Sequence, residues 1–572
     1  MPQGPIPPMI ADTLATTLLI LGVALGLARP VADRLRLRPA EGLVAGAALS
    51  LIGAWGVAWA VFITGTPLSA YWLIPALGLA GLLLGFRGLR RLAADPAARD
   101  LMLGQAVVTA WCVTWLSFIR CHSGGGWTGD SFEHWERARF FLSQWPPGRL
   151  FIGVYQVPAR PPLGNVLTAV FLRATTTDYA HYQLIMAVLN SLAYLPVALL
   201  ALRFGGRPAA RMAALVVMLS PLFLQNATYP WTKLQAAFFI LSGLYFFLRV
   251  RDGDGESGPA GVLCALSLGG AVVTHYSAGP YVIVLGAAWL ALGRHRGGGF
   301  GRMTALAAAA GACVLLPWFA WSIARYGWNG TFLSNTTVSM MERTPGNPFV
   351  IMALNLRDSL VPPQLRGFTG TLFRQSSPWG SLRDQAFLVY QLNPLLALGC
   401  VGWVVAVREA FRAARAAGRG DRLFWALSVA GFVAVSFASY GDRDHYGTGH
   451  ICLQSLVLLG LAFLASRWEG LSRPWRAALA VGWAVDFAFG IALQFAVEDF
   501  AFDRWLNPGR NLGEIAQTYA VVTQENISEK IIAQQPYFAD ILPTPPALVL
   551  ALLGAILCMA LVRTRREPGE SR

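Results

Sequence analysis

Long apolar stretches, separated by connections rich in arginine, recur through the whole chain. They lie near 9–28, 42–64, 69–86, 101–119, 182–204, 208–224, 231–248, 259–274, 277–293, 303–324, 386–407, 422–440, 451–466, 475–495 and 546–562. A helix needs about 20 apolar residues to cross the hydrocarbon of a bilayer. Several of these runs are short or closely joined, so the pattern predicts an all-α polytopic membrane protein with about 13 to 15 transmembrane helices. Composition narrows the field in the same direction. Of 572 residues 55% are hydrophobic and 13% charged, about half the charge of a soluble protein. Disordered, coiled-coil, collagen-like and disulfide-framework chains are excluded.

The net charge of +15 would suit a nucleic-acid binder, but its distribution argues for a membrane instead. With the N-terminus outside and the sides alternating, the inside connections hold 28 Arg against 12 acids, and the outside segments hold 17 basic against 16 acidic residues. Short, basic inside loops are what the positive-inside rule requires. The expected location is therefore a bacterial inner membrane, crossed many times, with the N-terminus outside and the C-terminus cytoplasmic. The first residues, Met1–Pro8, carry no Lys or Arg and lack the basic start of a signal peptide.

Loop length then points to the working face. Inside connections are short, whereas three outside loops are long: 120–181, 325–385 and 496–545. Structureless loops of that size are usually functional. All His residues except His295 also lie on or near the outer side. No P-loop and no H-E-x-x-H motif occurs, and the seven Cys form no C-x-x-C pair, so neither nucleotide hydrolysis nor a thiolate metal site is indicated.

The first outer loop carries the most chemistry. In Trp127–Trp145 the residues Phe132, Trp135, Ala138, Leu142 and Trp145 recur at three- and four-residue spacing, predicting a helix that lies in the membrane interface, with Glu133, Glu136 and Arg137 off its apolar face. Asp130 and Glu133 have the spacing of a helix cap and its partner. Arg160-Pro161-Pro162-Leu163 then opens a second helix, which is too short to span. Farther along stands Tyr229-Pro230-Trp231-Thr232-Lys233-Leu234.

An acidic residue early in the first outer loop, an amphipathic helix, a [KR]-P-P-L stretch and a P-x-x-K-L element resemble the GT-C fold glycosyltransferases. The likeness is to their protein-O-mannosyltransferase and aminoarabinose-transferase-like members, and it covers about 101–465. The resemblance implies a membrane enzyme that moves a hexosyl or pentosyl group from a polyprenyl-phosphate-linked sugar donor to a glycan, lipid or protein acceptor at the outer face, with inversion. It implies that Asp130 is the catalytic base. Glu133 is a lesser acid/base candidate beside it. Substrate-binding candidates are Arg160 and Lys233 for the carrier phosphate, His275 and Tyr276 in a short outer break, and Arg443 and His445. The last two stand in Asp442–His450, where the family's usual R-Y-x-x-P is absent. The sequence requires no cofactor and assigns no metal ligands, though a divalent ion would be compatible with it. Membrane lipid is an expected partner and nucleic acid is not.

On this reading residues 1–100 are additional N-terminal helices and 101–466 the catalytic core with its outer loops 120–181 and 325–385. Residues 467–572 are C-terminal helices with outer loop 496–545. One alternative is a transporter or flippase of lipid-linked sugars, which would place more ionisable groups at mid-membrane than Asp486 and Asp12. Another is an O-antigen polymerase or ligase-like enzyme.

Overall fold

The computed structural model describes residues 8–119, 128–151, 155–254, 257–294, 299–333, 401–439, 453–491 and 538–542, with isolated positions between 347 and 357. The run at 546–562, most of the run at 386–407 and most of the second and third outer loops lie outside the described residues. Those that are described form an all-α, multi-pass membrane protein. In chain order the helices are α1 (Pro8–Gly26), α2 (Arg29–Ala32), α3 (Pro39–Thr64), α4 (Leu73–Leu84), α5 (Phe86–Ala94), α6 (Pro96–Leu116), α7 (Thr128–Ser143), α8 (Leu163–Ala174), α9 (Tyr179–Ser191) and α10 (Tyr194–Met218). There follow α11 (Pro221–Thr228), α12 (Lys233–Asp252), α13 (Ser257–Thr274), α14 (Gly279–Gly293), α15 (Gly299–Phe332), α16 (Gly402–Ala416), α17 (Arg419–Ser439), α18 (Gln454–Arg467), α19 (Arg473–Ile491) and α20 (Phe538–Ile541).

Among the described residues six helical segments are long and apolar enough to cross a membrane. A seventh is the bent pair formed by Leu68–Leu84 and α5. The runs at 182–204 and 208–224 fall on α9, α10 and α11, and α10, which joins them, turns sharply at Gly206 (φ 72°, ψ −168°). That backbone region is essentially restricted to glycine, so the residue permits a corner where another side chain would not. The innermost elements are α9 and α12, whose side chains are almost all buried. Around them α14 and α15 expose Ile283, Leu290, Leu306 and Leu316, as expected of a ring that meets lipid.

Polar pairs gather at the two ends of the bundle. At one end Arg203 pairs with Asp252 and Asp254, at 2.5 and 3.0 Å. Arg207 and Arg211 share Asp100, at 3.1 and 2.9 Å. Arg249 pairs with Glu41, which also accepts from the Tyr245 hydroxyl at 2.7 Å. These residues come from the connections that the charge count groups on one side. At the other end Tyr71 donates to the Phe141 carbonyl (3.3 Å), Tyr326 to Pro147 (2.7 Å) and Tyr276 to Pro158 (3.0 Å). His181 bridges Asp12 and Asp178, at 2.5 and 2.9 Å. Apart from Asp12 and Tyr71, which stand near the ends of the apolar runs 9–28 and 69–86, these belong to segments grouped on the opposite side.

The helices of 1–100 pack directly on those that follow. Trp59 lies 5.7 Å from Trp318 and 6.2 Å from Phe141, ring centre to ring centre, and Phe62 lies 4.9 Å from Phe141.

Candidate active site

The first outer loop supplies two short helices, α7 and α8, as the sequence leads one to expect. Their setting differs from that of an interfacial helix. In α7 the polar positions Glu133, His134, Glu136 and Arg137 are as buried as Phe132, Trp135 and Ala138. The polar face is covered by the chain that follows rather than by water.

Burial of these charges is made tolerable by close pairing. Arg137 grips Glu133 one turn earlier, with Nη2–Oε1 at 2.6 Å and Nε–Oε1 at 2.7 Å. Its remaining donors reach the carbonyls of Val157 (2.7 Å) and Gln156 (2.9 Å), and its guanidinium lies 4.4 Å above the Phe151 ring. The second Glu133 oxygen faces Arg160 Nη2 at 3.2 Å, and Arg160 lies over the Tyr155 ring. Burial alone would push the Glu133 carboxyl up. The charges of Arg160 and Arg137 prevail and hold it below the ordinary carboxylate range, so it is ionised. His134 is pushed down to about 4, chiefly by burial and further by Arg160, although Glu133 opposes this. It is therefore neutral, with Nδ1 2.9 Å from Asn165 Oδ1. Since the amide oxygen can only accept, Nδ1 carries the proton.

These contacts fix the segment that leads into α8. Arg137 holds its residues 156 and 157, Tyr276 donates to Pro158, and Glu133 holds Arg160. Trp318 Nε1 in turn donates to the Tyr276 hydroxyl at 3.4 Å. Arg160 and Tyr276, far apart in the sequence, thus meet at one short turn. His275 is set differently: its Nδ1 accepts from the Ser277 backbone N–H at 3.1 Å and caps the 3-10 turn Tyr276–Ala278.

Lys233 opens α12 and is buried, with Nζ 3.1 Å from the centre of the Trp231 ring. The preceding Pro230 carbonyl accepts from the Tyr182 hydroxyl at 3.1 Å. The starts of α8 and α12 abut. A Cβ added at Gly164 would lie 2.6 Å from Thr232 Cγ2 and 2.7 Å from Gln235 Oε1, so only glycine allows this approach. Among the described residues no side chain caps either helix start, and the buried Asn165 Nδ2, Thr232 Oγ1 and Gln235 Oε1 find no hydrogen-bond partner there. Two uncapped helix N-termini, each with positive partial charge, therefore meet beside Arg160 and Lys233. Such an arrangement suits an anion.

Asp130 stands on α7 one turn before Glu133; its side chain lies outside the described residues, as do Arg443 and His445. Sequence reasoning placed Arg137 off the apolar face of α7 without giving it a role, and it passed over Gly164 and Asn165. Arg137 was signalled by its four-residue spacing from Glu133, and Gly164 by standing directly after Arg160–Leu163.

The fold and this site define a multi-pass, all-α membrane protein with a cationic site at one end of its bundle. No protein-family profile matches the chain, and neither does any curated protein. Among solved structures the chain is similar to ArnT from Cupriavidus metallidurans bound to undecaprenyl phosphate, with 17% identity, 82% of this chain and 78% of that one covered, and a TM-score of 0.46. The apo form of the same protein gives 18% identity, 79% and 76% coverage, and a TM-score of 0.46. Arabinosyltransferase EmbB from Mycobacterium smegmatis gives 15% identity, 79% and 46% coverage, and a TM-score of 0.32.

Proposed function

We propose that this protein transfers a sugar from a polyprenyl-phosphate carrier to an acceptor at the outer face of a bacterial inner membrane. The supporting observation is the meeting of the uncapped starts of α8 and α12 beside Arg160 and Lys233. A departing polyprenyl phosphate leaves negative charge, and fixed dipoles and cations in a site shielded from water stabilise it more than bulk solvent would. Arg offers a fork to the phosphate oxygens and Lys a compact charge. The Tyr276 hydroxyl, close to the same turn, helps keep that turn in place.

In this reading Asp130, on the helix beside the site, takes the proton from the acceptor hydroxyl as its oxygen attacks the anomeric carbon. The carbon–oxygen bond to the carrier phosphate breaks on the opposite face, giving inversion. Glu133 is committed to two guanidiniums, which suits holding Arg160 in place better than exchanging protons. In the stretch where the family's R-Y-x-x-P is absent, this reading lets Arg443 take over the carrier contact of that motif, with His445 as a further substrate-binding candidate beside it.

The test is transfer by purified protein from a short-chain polyprenyl-phosphate sugar, with acceptor candidates drawn from the envelope glycans that change in a deletion strain. Asp130→Asn keeps an oxygen that can cap α7 but removes the base. The expected outcome is folded, membrane-inserted protein with transfer reduced at least ~10²-fold, the lower end for losing general-base catalysis. Turnover near the parent's would leave Asp130 only a capping role.

A further inference from the structure

The end of the bundle that carries Glu41, Asp100 and Arg249 also presents a cationic ledge unconnected with the proposed active site. Approaching it, α4 exposes Leu79, Leu83 and Leu84, and Phe86 is exposed directly after them. There the chain bends by 65° into α5. Within one turn the exposed side chains change to Arg87, Arg90 and Arg91, while Gly88 and Leu92, one turn apart, are buried.

Contacts with α2 fix the position of α5. A Cβ at Gly88 would collide with the Asp33 carboxylate, and one at Gly85 with the Arg29 side chain. The connection that follows α2 adds exposed Arg34, Arg36 and Arg38 to the same region. Nearby acids are already engaged. Asp33 pairs with Arg29 at 2.6 Å, Glu41 with Arg249, and Asp100 with Arg207 and Arg211. Asp95 accepts from the Ala98 N–H at 2.8 Å and caps α6. Among the described residues Asp33, Glu41 and Asp100 pair with Arg29, Arg249, Arg207 and Arg211 and not with Arg87, Arg90 or Arg91, so α5 keeps a concentrated positive charge.

We infer that this ledge binds the headgroups of anionic phospholipids, with α5 lying along the membrane interface. Leu83, Leu84 and Phe86 need hydrocarbon around them, and the arginines that follow within one turn need phosphate and water. The step from Phe86 to Arg87 thus marks the boundary between hydrocarbon and headgroup. A lipid satisfies both halves at once: its chains cover the leucines and its phosphate accepts the guanidinium forks. A soluble acidic partner would cover only the second half.

The test reconstitutes the full chain in phosphatidylcholine bilayers containing spin-labelled phosphatidylglycerol or spin-labelled phosphatidylcholine. The readout is the share of each label immobilised by the protein. Phosphatidylglycerol should be preferred about 3-fold or more at low salt, and less as salt rises. Arg87→Gln/Arg90→Gln/Arg91→Gln should bring the ratio close to one, and the matching Lys triple should retain most of it. Arg415→Gln/Arg419→Gln/Arg422→Gln removes equal charge elsewhere and should leave the ratio unchanged. If the α5 triple fails to fold, Arg34→Gln/Arg38→Gln tests the ledge from its other half and should lower the ratio. A parent protein without preference, or equal loss in the α5 triple and the distant one, overturns the inference.

Discussion

Lys233 is one of two lysines in a chain whose Lys and Arg total 45, and it is the one at the start of α12, held on the face of Trp231. If it receives the carrier phosphate, Lys233→Ala should weaken donor binding about tenfold, the scale of losing one charged hydrogen bond. Lys233→Arg keeps the charge and should lose less. Donor dissociation constants at two ionic strengths check this, and equal affinities in all three proteins would leave Lys233 as a helix anchor. His134 gives a prediction in pH. Its folded value of about 4 lies below the 6.5 of an ordinary imidazole. Between the two, the unfolded chain takes up a proton that the folded chain does not, so stability rises with pH across this window. It is therefore lost as pH falls from about 6.5 towards 4. Detergent-solubilised protein should lose thermal stability between pH 7 and pH 4.5, and His134→Gln, which cannot titrate, should show a smaller loss. An identical loss in the variant would assign the acid sensitivity to other groups. Arg160 and Lys233 were singled out through the R-P-P-L and P-x-x-K-L elements of the resemblance, since spacing alone leaves them as ordinary basic residues at the ends of apolar runs. Their partners were less legible, since Arg160 meets Glu133 from 27 positions away and Tyr276 meets Pro158 from 118.

At the scale of the element, what matters is how α8 and α12 meet. Gly164→Ala places a methyl against Thr232 and Gln235, within a contact too close for it. The helix starts should move apart by a few tenths of an ångström or more, weakening donor binding while the protein still inserts and purifies. Measuring donor affinity and thermal stability together checks this. A variant that loses stability in proportion to affinity would show that the contact only holds the helices together. The existence of α7 and α8 was readable from periodicity and from the paired prolines. The environment of α7 was not. A helical wheel separates Phe132 and Trp135 from Glu133 and Arg137, but it cannot tell a polar face that meets water from one that meets the segment 156–160. The corner at Gly206 was readable only as a gap between two apolar runs, and its conformation follows from φ of 72°.

For the whole molecule, the charge count grouped connections that do meet in space: Arg203 with Asp252, Arg207 with Asp100, Arg249 with Glu41. Which end faces outward is tested by labelling. In a background with the native cysteines replaced, Thr177→Cys should react with an impermeant maleimide in intact cells, and Ala416→Cys should react only after the membrane is opened. The opposite pattern would reverse the proposed orientation and move the active site to the cytoplasm. The division at residue 100 was read from a resemblance that begins there, and local sequence gave no sign that Trp59 would pack on Trp318.

The bridge from Asp12 to His181 spans 169 positions, and this separation bears on how the protein is made. At about 5–20 residues per second, α1 leaves the ribosome roughly 10 to 30 s before its partner imidazole exists. Through that interval the Asp12 carboxylate has no His181 to meet, and moving it into lipid is unfavourable. The end of α1 must therefore wait at the watery surface until α9 arrives. The body of the helix can pack on α3 and α4 much earlier, with Gly26 set against Gly78 and Gly81, so what closes late is the polar latch at its first turns, and a chain stalled before residue 181 would hold α1 without that latch.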